Sequence, residues 1–447
     1  MSLYHELIAG MTEVLECNEP QVLAVGYSGG VDSQVLLHLL AQTRKHYPQH
    51  RYLAVHIHHG LSPNADSWLA HCQYWAEQWQ FEFYYRCVEL SNQSRSSLEA
   101  EARTARYQAF DALLPAKTHV LLAQHQDDQL ETVLLQLKRG AGPKGLAGMP
   151  EHGRRGELFL HRPLLGSSQA AILAYAHEHG LTWVEDESNS DPAYERNFLR
   201  QEILPLMTER WPQLAATVAR SAELCGEQQA LLDDLADELL KSLQLATEQL
   251  DAQALRTLPE AKRNLVIRRW LEKLSVPMPP RHLLQRLERE LLGAADDGMP
   301  CLAWQDYQLR RFQQRLYCCP RTEPPRPWAH SWNGAEAFRL PDGRLIQVTT
   351  DTDEPGVAQV VLDRYAEVGQ GTLNQSFKPQ GSPRSKPLKQ WFKLWQLPPW
   401  ERSQCVWLRK NGRILALWGR GWVKQADIEP GQATLPVVVR QGGKELS

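Results

Sequence analysis

Short apolar runs alternate with longer amphipathic stretches along the first half of the chain. We predict strands for the apolar runs, which are VLAVGY (22–27), YLAVHI (52–57), FEFYYRCV (81–88) and HVLLAQ (119–124). The stretches between and after them predict helices over 33–45, 65–79, 97–113 and 127–138. Nearly continuous apolar strands that alternate with helices are typical of a doubly wound α/β fold with a parallel sheet. Such sheets bind ligands at the carboxyl ends of their strands.

The pattern changes after residue 215. The segment 216–320 is rich in helix-forming stretches, including an acidic amphipathic one at 221–243 and Arg/Leu-rich ones at 263–274 and 281–292. The segment PRTEPPRPW (320–328) predicts a linker because of its prolines, and short strand-like runs broken by Gly and Pro follow it. The sequence therefore predicts three domains: a parallel-sheet domain at 1–215, a helical domain at 216–325 and a small β-rich α+β domain at 326–447.

Composition and charge exclude several classes of protein. The 447 residues are 43% hydrophobic and 23% charged, which is typical of a chain that folds. No apolar run approaches the roughly 18 residues of a membrane span, and the N-terminus lacks a secretion signal, so we expect a cytoplasmic protein without a membrane partner. The net charge of −3 excludes a uniformly basic binder. The eight cysteines lack Cys-x-x-Cys or zinc spacing, so we expect free thiols.

The C-terminal segment 371–447 departs from this average. It carries 13 Lys or Arg against four acids, a net charge of +9, and six of the 15 Trp of the chain. Cations bind phosphates and aromatic rings stack on unpaired bases, so this combination favours an RNA-binding surface. The structural alternative, a Trp-rich core below a solvated face, is the better interpretation of any single Trp.

The first motif with evident chemistry is Ser28-Gly29-Gly30-Val31-Asp32-Ser33, between a predicted strand and a predicted helix. Backbone N–H groups of the loop and the positive end of the helix would converge on one anion there. The glycines permit close approach of a phosphate, and Asp32 suits a Mg²⁺ ion that bridges phosphates. A capped turn is the structural alternative. The whole string resembles the ATP loop of the PP-loop ATPases, and the Walker A lysine is absent.

Two further motifs lie where later predicted strands end. The first, 56–61, places His58 and His59 at a strand end, where either could contact a ligand, although a structural role is the alternative. The second, 124–132, places Asp128 and Glu131 on one helix face, where both carboxylates could meet Mg²⁺ or an amine. Acids in a first helical turn also stabilise the helix dipole, which is the simpler explanation.

Arginine pairs follow at two places in the same region. Arg103 and Arg106 share one predicted helix face, and Arg196 and Arg200 share another. Each pair could be a solvated surface balanced by nearby glutamates. As phosphate clamps, the guanidinium groups would neutralise the charge that grows at the α-phosphorus when pyrophosphate leaves.

Together these segments resemble the tRNA(Ile)-lysidine synthetase family. SGGVDS, HHGL, EARTARY, DDQLET with KRGAGPKGLAGM, and DESNSDPAYERNFLR resemble its N-terminal domain over most of 20–205. LKQWFKLWQLPPWERSQCVWLRKNGRILAL is similar, more loosely, to its C-terminal domain. Two positions depart from the family pattern: Ser62 stands where many members carry Arg, and KPQGSPRSKP stands where a Gly-Asp-Arg element is common.

The resemblance implies an ATP-dependent ligase that joins L-lysine to C2 of the wobble cytidine of a CAU-anticodon isoleucine tRNA, through an adenylated cytidine. Adenylation makes chemical sense because a cytosine oxygen leaves poorly, whereas the adenylated oxygen departs as AMP. In this reading residues 216–325 and 326–447 bind tRNA. The residues that we expect at the site are Ser28, Gly29, Gly30, Val31, Asp32, Ser33 and His58 for ATP, Asp32 and Asp128 for Mg²⁺, and Asp32, Asp128, Glu131, Arg103, Arg106, Arg196 and Arg200 for catalysis.

Three alternatives remain open at this point. A PP-loop tRNA thiolase would need a cysteine pair or an iron–sulfur cluster, and the chain has no Cys-x-x-Cys. A glutamine-dependent amidating synthetase would need a nucleophilic cysteine, but Ser2 follows Met1. A non-catalytic RNA-binding protein with a vestigial nucleotide loop could not release pyrophosphate. The sequence leaves the oligomeric state undecided, a homodimer included.

Overall fold

The computed structural model describes residues 2–60, 62–88, 95–187, 191–295, 298–321, 323, 325–362, 365–371, 374–428 and 432–440. By its internal contacts the chain separates into two compact units, residues 1–235 and 236–447. None of the described helices has both the length and the apolar character that crossing a membrane requires. The predicted division into three domains stays a prediction.

Unit 1 consists of alternating strands and helices. Its strands are β1 Val22–Gly26, β2 Arg51–His58, β3 Glu82–Cys87, β4 His119–Leu121, β5 His152–Arg155 and β6 Leu158–His161. Its helices are α1 Leu3–Leu15, α2 Val31–His46, α3 Ala65–Gln78, α4 Arg95–Leu113, α5 Gln126–Lys138, α6 Pro143–Leu146, α7 Gln169–Glu178, α8 Glu195–Phe198, α9 Leu204–Arg210 and α10 Leu214–Leu243, which continues into unit 2. A π-helical turn, Leu199–Ile203, joins α8 to α9.

The sheet of unit 1 has the strand order β3-β2-β1-β4-β6-β5. Its strands are parallel from β3 to β6, and β5 pairs antiparallel with β6 at the edge. Apolar side chains cover both faces: Leu23 and Val25 of β1 pack with α1, α2 and α7, while Ala24 packs with Phe110 of α4. The chain moves outward from β1 to β3 and then returns to the other side of β1 as β4. The strand order therefore reverses between β1 and β4, where ligand crevices open in such sheets.

The sequence predicted this part well. The four predicted strands correspond to β1 to β4, and the four predicted helices correspond to α2 to α5. The doubly wound α/β fold is confirmed. The edge hairpin of β5 and β6 was missed, because HGRR and LFLH are too short and too unlike each other to stand out as a pair of strands.

Unit 2 begins with helices and a sheet. The helices are α11 Ala252–Thr257, α12 Glu260–Lys273 and α13 Arg281–Arg286, which continues as a π-helical turn, Leu287–Leu292. The strands are β7 Gln244–Ala246, β8 Gln249–Asp251, β9 Cys301–Trp304, β10 Tyr307–Phe312 and β11 Arg315–Pro320, in the order β7-β8-β11-β10-β9. We call this the middle sheet. Its apolar face, including Leu309 and Leu316, packs around Trp270 of α12.

The helix-rich prediction for 216–320 is confirmed, and the end of this segment adds strands that the sequence pattern did not predict. Residues 301–320 form the strands β9, β10 and β11. These strands lack a clear alternation of apolar and polar residues because the second face of the middle sheet is also covered. That face carries Arg310, Phe312 and Tyr317 instead of freely solvated side chains. All described cysteines are free, as expected, and Cys318 is buried in the core.

The rest of unit 2 is β-rich with two short helices, which confirms the predicted α+β character. Its elements are β12 Trp328–Trp332, β13 Phe338–Arg339, β14 Leu345–Val348, β15 Ala358–Val360, β16 Ala366–Gln370, β17 Ser376–Phe377, β18 Lys386–Pro387, α14 Leu388–Leu394, α15 Pro399–Arg402, β19 Val406–Lys410, β20 Arg413–Gly419, β21 Trp422–Gln425 and β22 Leu435–Arg440. Antiparallel sheets run in the orders β12-β16-β19-β20-β21 and β13-β14-β22-β15.

The tryptophans of this segment are largely core residues. Trp391, Trp407 and Trp418 are buried, so the structural alternative is correct for these three. Cations lie against several indoles, with Lys386 5.1 Å from the ring centre of Trp391. Base stacking therefore cannot be the shared role of these indoles.

Some sequence predictions fall outside the described residues. These are Leu61, residues 188–190 of the DESN motif, Thr322 and Pro324 of the linker, and the charges Glu429, Lys444 and Glu445.

Candidate active site

A cavity of about 580 Å³ opens at the carboxyl ends of β1, β2 and β4. The loop after β1, the end of β2 and the start of α5 all contribute to its wall, together with residues of α3, α4 and the segment 184–200. Helices α2 and α5 both begin at this cavity, so the positive ends of two helix dipoles meet there. The position is the reversal point of the strand order, where the fold leaves a crevice.

The loop after β1 is held by its own side chains. Gly29 adopts φ +90°, and its carbonyl accepts a hydrogen bond from the Val184 amide at 3.0 Å. The Ser33 hydroxyl donates to the Gly30 carbonyl at 3.0 Å and lies 3.0 Å from the Ser28 hydroxyl. These bonds set the loop conformation before any ligand binds. The N–H groups at the start of α2 are thereby directed to the cavity.

The start of α5 places a buried histidine among carboxylates. His125 precedes the helix and is 2% exposed, and its Nε2 lies 3.7 Å from Asp32 Oδ1 and 3.4 Å from Asp128 Oδ2. Burial alone would lower the pKa of His125, but Asp127 and Asp32 raise it to about 10. An imidazolium therefore lies between the carboxylates of α2 and α5 and reduces their mutual repulsion.

Arginines form the opposite side of the site. Arg200 binds both carboxylate oxygens of Glu131 and also donates to Asp128 Oδ1 at 2.8 Å. Arg196 donates to the Thr132 hydroxyl at 2.9 Å. Arg200 lies in the π-helical turn, a feature that is frequent at functional sites.

Burial shifts the pKa values of this group in opposite directions. It raises the pKa of the Glu131 carboxyl, although Arg200 counters the shift. It lowers the pKa of Arg106, and the nearby Arg103 and Arg196 lower it further. Positive charges crowded into one wall are stabilised by an anion, which favours phosphate binding at this wall.

The structure brings most of the predicted site residues together. The cavity is lined by Ser28, Gly30, Asp32, Ser33, His58, Arg106, Asp128, Arg196 and Arg200. Gly29 and Val31 belong to the same loop and helix start but do not line it. Glu131 is 1% exposed and does not line the cavity, but it pairs with two lining arginines, Arg200 and, at 3.9 Å, Arg196. Arg103 does not line the cavity, and its guanidinium lies 5.4 Å from the ring centre of Tyr107.

Several lining residues were missed by sequence reasoning. Asp186 and Glu187 line the cavity, and Glu187 accepts hydrogen bonds from Ser62 and Asn64. Phe110 and Leu122 form an apolar part of the wall. Both acids belong to the segment DESNSDPAYERNFLR, which was singled out for its arginines. Their place in that segment was a signal that could have been used. Phe110 and Leu122 carry no local signal, since they read as ordinary core residues.

The donor set suits a magnesium ion that is also bound to phosphates. Asp32 Oδ1 is a buried oxygen with no hydrogen-bond partner among the described residues, and Asp32 and Asp128 both line the cavity. In the described part of the chain no group of three or more His, Cys, Asp or Glu side chains could hold a metal by itself. Mg²⁺ usually takes one or two protein carboxylates and completes its shell with phosphate oxygens and water. The residues fit that pattern.

The fold and loop define the class of protein. Residues 3–207 match the model of the PP-loop domain, residues 250–317 match the TilS substrate binding domain, and residues 367–439 match the TilS substrate C-terminal domain.

Relatives identify the family. The chain is 42% identical to the tRNA(Ile)-lysidine synthase of Serratia proteamaculans, over 89% of this chain and 90% of that protein. It is 39% identical to the tRNA(Ile)-lysidine synthase of Escherichia coli O157:H7, over 92% and 94%. The chain belongs to the tRNA(Ile)-lysidine synthase family, which makes it an ATP-using ligase of the PP-loop class. A solved U34-tRNA thiolase from Methanococcus maripaludis has 17% identity and a TM-score of 0.42, over 50% of this chain and 78% of that one, which is too little to indicate function.

The loop geometry yields a prediction about Gly29. A Cβ atom at this residue would lie 2.8 Å from Val184 and 3.0 Å from Cys72, and φ is positive. We expect Gly29→Ala to lower the free energy of unfolding by about 1–3 kcal/mol. Gly30→Ala is the matched control, since its Cβ would meet only the Ser28 hydroxyl at 3.6 Å. Denaturant unfolding measures both, and equal losses would contradict the geometry.

The pairing of Glu131 with Arg200 yields a second prediction. Glu131→Gln and Arg200→Gln should each lower kcat about tenfold, and the double variant should be no slower than Arg200→Gln alone, because Glu131 acts mainly by holding Arg200. Rates of product formation at saturating substrates measure the cycle, with unfolding curves as the check on folding. Multiplying effects would show instead that Glu131 contacts a substrate independently of Arg200.

Proposed function

We propose that this chain converts the wobble cytidine of a CAU-anticodon isoleucine tRNA to lysidine, with ATP and L-lysine as co-substrates, in the cytoplasm. The observation that carries this proposal is the convergence of two helix N-termini, Asp32, Asp128 and three arginines on one cavity. A triphosphate needs such a concentration of donors and positive charge. The activity is the one named for the relatives.

The first step is adenylation of the cytidine. The cytosine O2 atom attacks the α-phosphorus of ATP, the bond from the α-phosphorus to the bridging oxygen breaks, and pyrophosphate leaves. The loop after β1 and the start of α2 bind the phosphates, and Arg106 and Arg196 stabilise the charge that grows on the leaving group. When bound, Mg²⁺ held by Asp32 with Asp128 would neutralise phosphate charge. His58, at the end of β2, contacts the nucleotide.

The second step attaches lysine to the base. The neutral ε-amine of L-lysine attacks C2, and the C2–O2 bond breaks so that AMP departs with the former cytosine oxygen. The amine must lose a proton before or during this attack. Asp128 faces the cavity and is positioned to interact with the ammonium form, whereas Glu131 keeps Arg200 in place.

The remaining segments bind the tRNA. The cations of residues 371–440 other than Arg420, which is paired with Glu248, supply sequence-independent contacts to phosphates. Residues 250–317 contribute a second surface. This assignment gives the excess of positive charge in the C-terminal segment a role in a chain that is acidic overall.

The reaction is tested by incubating the full chain with ATP, radiolabelled lysine and bulk tRNA. Label should enter RNA only when ATP is present, with one pyrophosphate released for each lysine attached. Asp128→Asn should reduce pyrophosphate release by on the order of 100-fold while tRNA binding persists, because the carboxylate orients Arg200 in the cavity.

Asp111→Asn is the matched control, since Asp111 is a half-exposed carboxylate paired with Arg155 at 3.0 Å and lies outside the cavity. It should retain full activity. ATP-dependent sulfur transfer without lysine attachment would favour the thiolase alternative, and tRNA binding without pyrophosphate release would favour the non-catalytic one. Either result overturns the proposal.

A further inference from the structure

Among the described residues of unit 2, an aromatic contact and an ion pair join the middle sheet to the C-terminal segment. The first is a socket for Trp400, the second residue of α15. The socket is formed by three side chains on the outer face of the middle sheet, namely Arg310, Phe312 and Tyr317. The guanidinium of Arg310 lies 5.0 Å from the Trp400 ring centre, and the rings of Phe312 and Tyr317 meet the indole edge-on at 6.1 and 5.3 Å.

The socket is a strong form of aromatic contact. Edge-to-face pairs and a cation over the indole face are both attractive, and the cation contributes more where water is excluded. Tyr317 is buried, while Trp400 and Arg310 are half-buried. Arg310 also donates to Gln308 Oε1 at 3.1 Å, which restrains its side chain next to the indole.

The second contact is an ion pair between two turns. Arg420, after β20, binds both carboxylate oxygens of Glu248, which lies between β7 and β8; one of the two distances is 2.6 Å. Glu401, next to Trp400, lies close to both charges: burial raises its pKa, Arg420 lowers it and Glu248 raises it. The ion pair and the socket are therefore parts of one interface.

These contacts have a geometric consequence. The covalent connection between β11 and β12 is a short segment, and a single chain connection without a further interface leaves the direction of a following module adjustable. A second point of attachment removes rotation about the first. The cations of the C-terminal segment therefore keep a fixed direction relative to the middle sheet.

We propose that Trp400 and Arg310 are positioning residues for tRNA, which fix the C-terminal cations so that they and the middle segment bind one tRNA at the same time. This inference rests on the tRNA binding proposed above. Two surfaces held in register bind far more tightly than the same surfaces on a loose tether, because the second contact no longer requires a search. The socket itself does not contact RNA.

The test compares variants of the full chain. Trp400→Ala should raise KM for tRNA about tenfold, with kcat at saturating tRNA and KM for ATP unchanged. Trp400→Phe keeps an aromatic ring, so it should retain most of the affinity for tRNA that Trp400→Ala loses. Trp211→Ala is the matched control, because Trp211 is 55% exposed and belongs to unit 1. If Trp400→Ala lowered kcat as well as raising KM for tRNA, the proposal would be overturned.

A charge exchange separates positioning from direct RNA contact. Arg420→Glu should raise the Kd for tRNA about threefold, and adding Glu248→Arg should return it to the starting value, because the ion pair is rebuilt with reversed polarity. If Arg420 bound a phosphate directly, the exchange would not restore affinity, and the proposal would fail. Filter binding measures this Kd without turnover, so the result does not depend on whether the chain makes lysidine.

Discussion

The site depends on two helices that begin at neighbouring strand ends. Helices α2 and α5 follow β1 and β4, the adjacent strands between which the sheet order reverses, so their N-termini meet at one crevice. Unsatisfied N–H groups and two helix dipoles give this crevice a fixed preference for anions. This arrangement brings the loop at Ser28 and the carboxylate of Asp128 to one cavity.

Once the anion site exists, its charges must be balanced while it is empty. Asp32 and Asp128 would repel each other, and His125 lies between them, while Arg200 spans Asp128 and the buried Glu131. Burying one charge without a partner is costly, whereas a hydrogen-bonded set is tolerated and holds its members in place. The network thus keeps the arginines directed at the cavity. A bound triphosphate would exchange part of this internal pairing for pairing with its own oxygens.

The sequence anticipated the parts of the site that are local. Ser28 to Ser33 and Asp128 lie where a strand ends and a helix begins, and the pattern of apolar strands alone locates those points. It could not anticipate how side chains divide between cavity and core. Arg103 and Arg106 share a helix face, yet only Arg106 lines the cavity; Glu131 shares a face with Asp128, yet both its oxygens are used by Arg200. The C-terminal tryptophans show the same limit, because composition does not distinguish an indole that stacks on a base from one that fills a core.

The central claim is that the cavity activates a pyrimidine oxygen by transferring AMP to it. Isotope transfer tests this most directly. A tRNA that carries ¹⁸O at O2 of the wobble cytidine is converted in ordinary water, and the AMP is analysed by mass spectrometry. The account predicts one ¹⁸O atom in each AMP and none in pyrophosphate, since the cytosine oxygen leaves with the α-phosphorus. Unlabelled AMP alongside lysine attachment would contradict it.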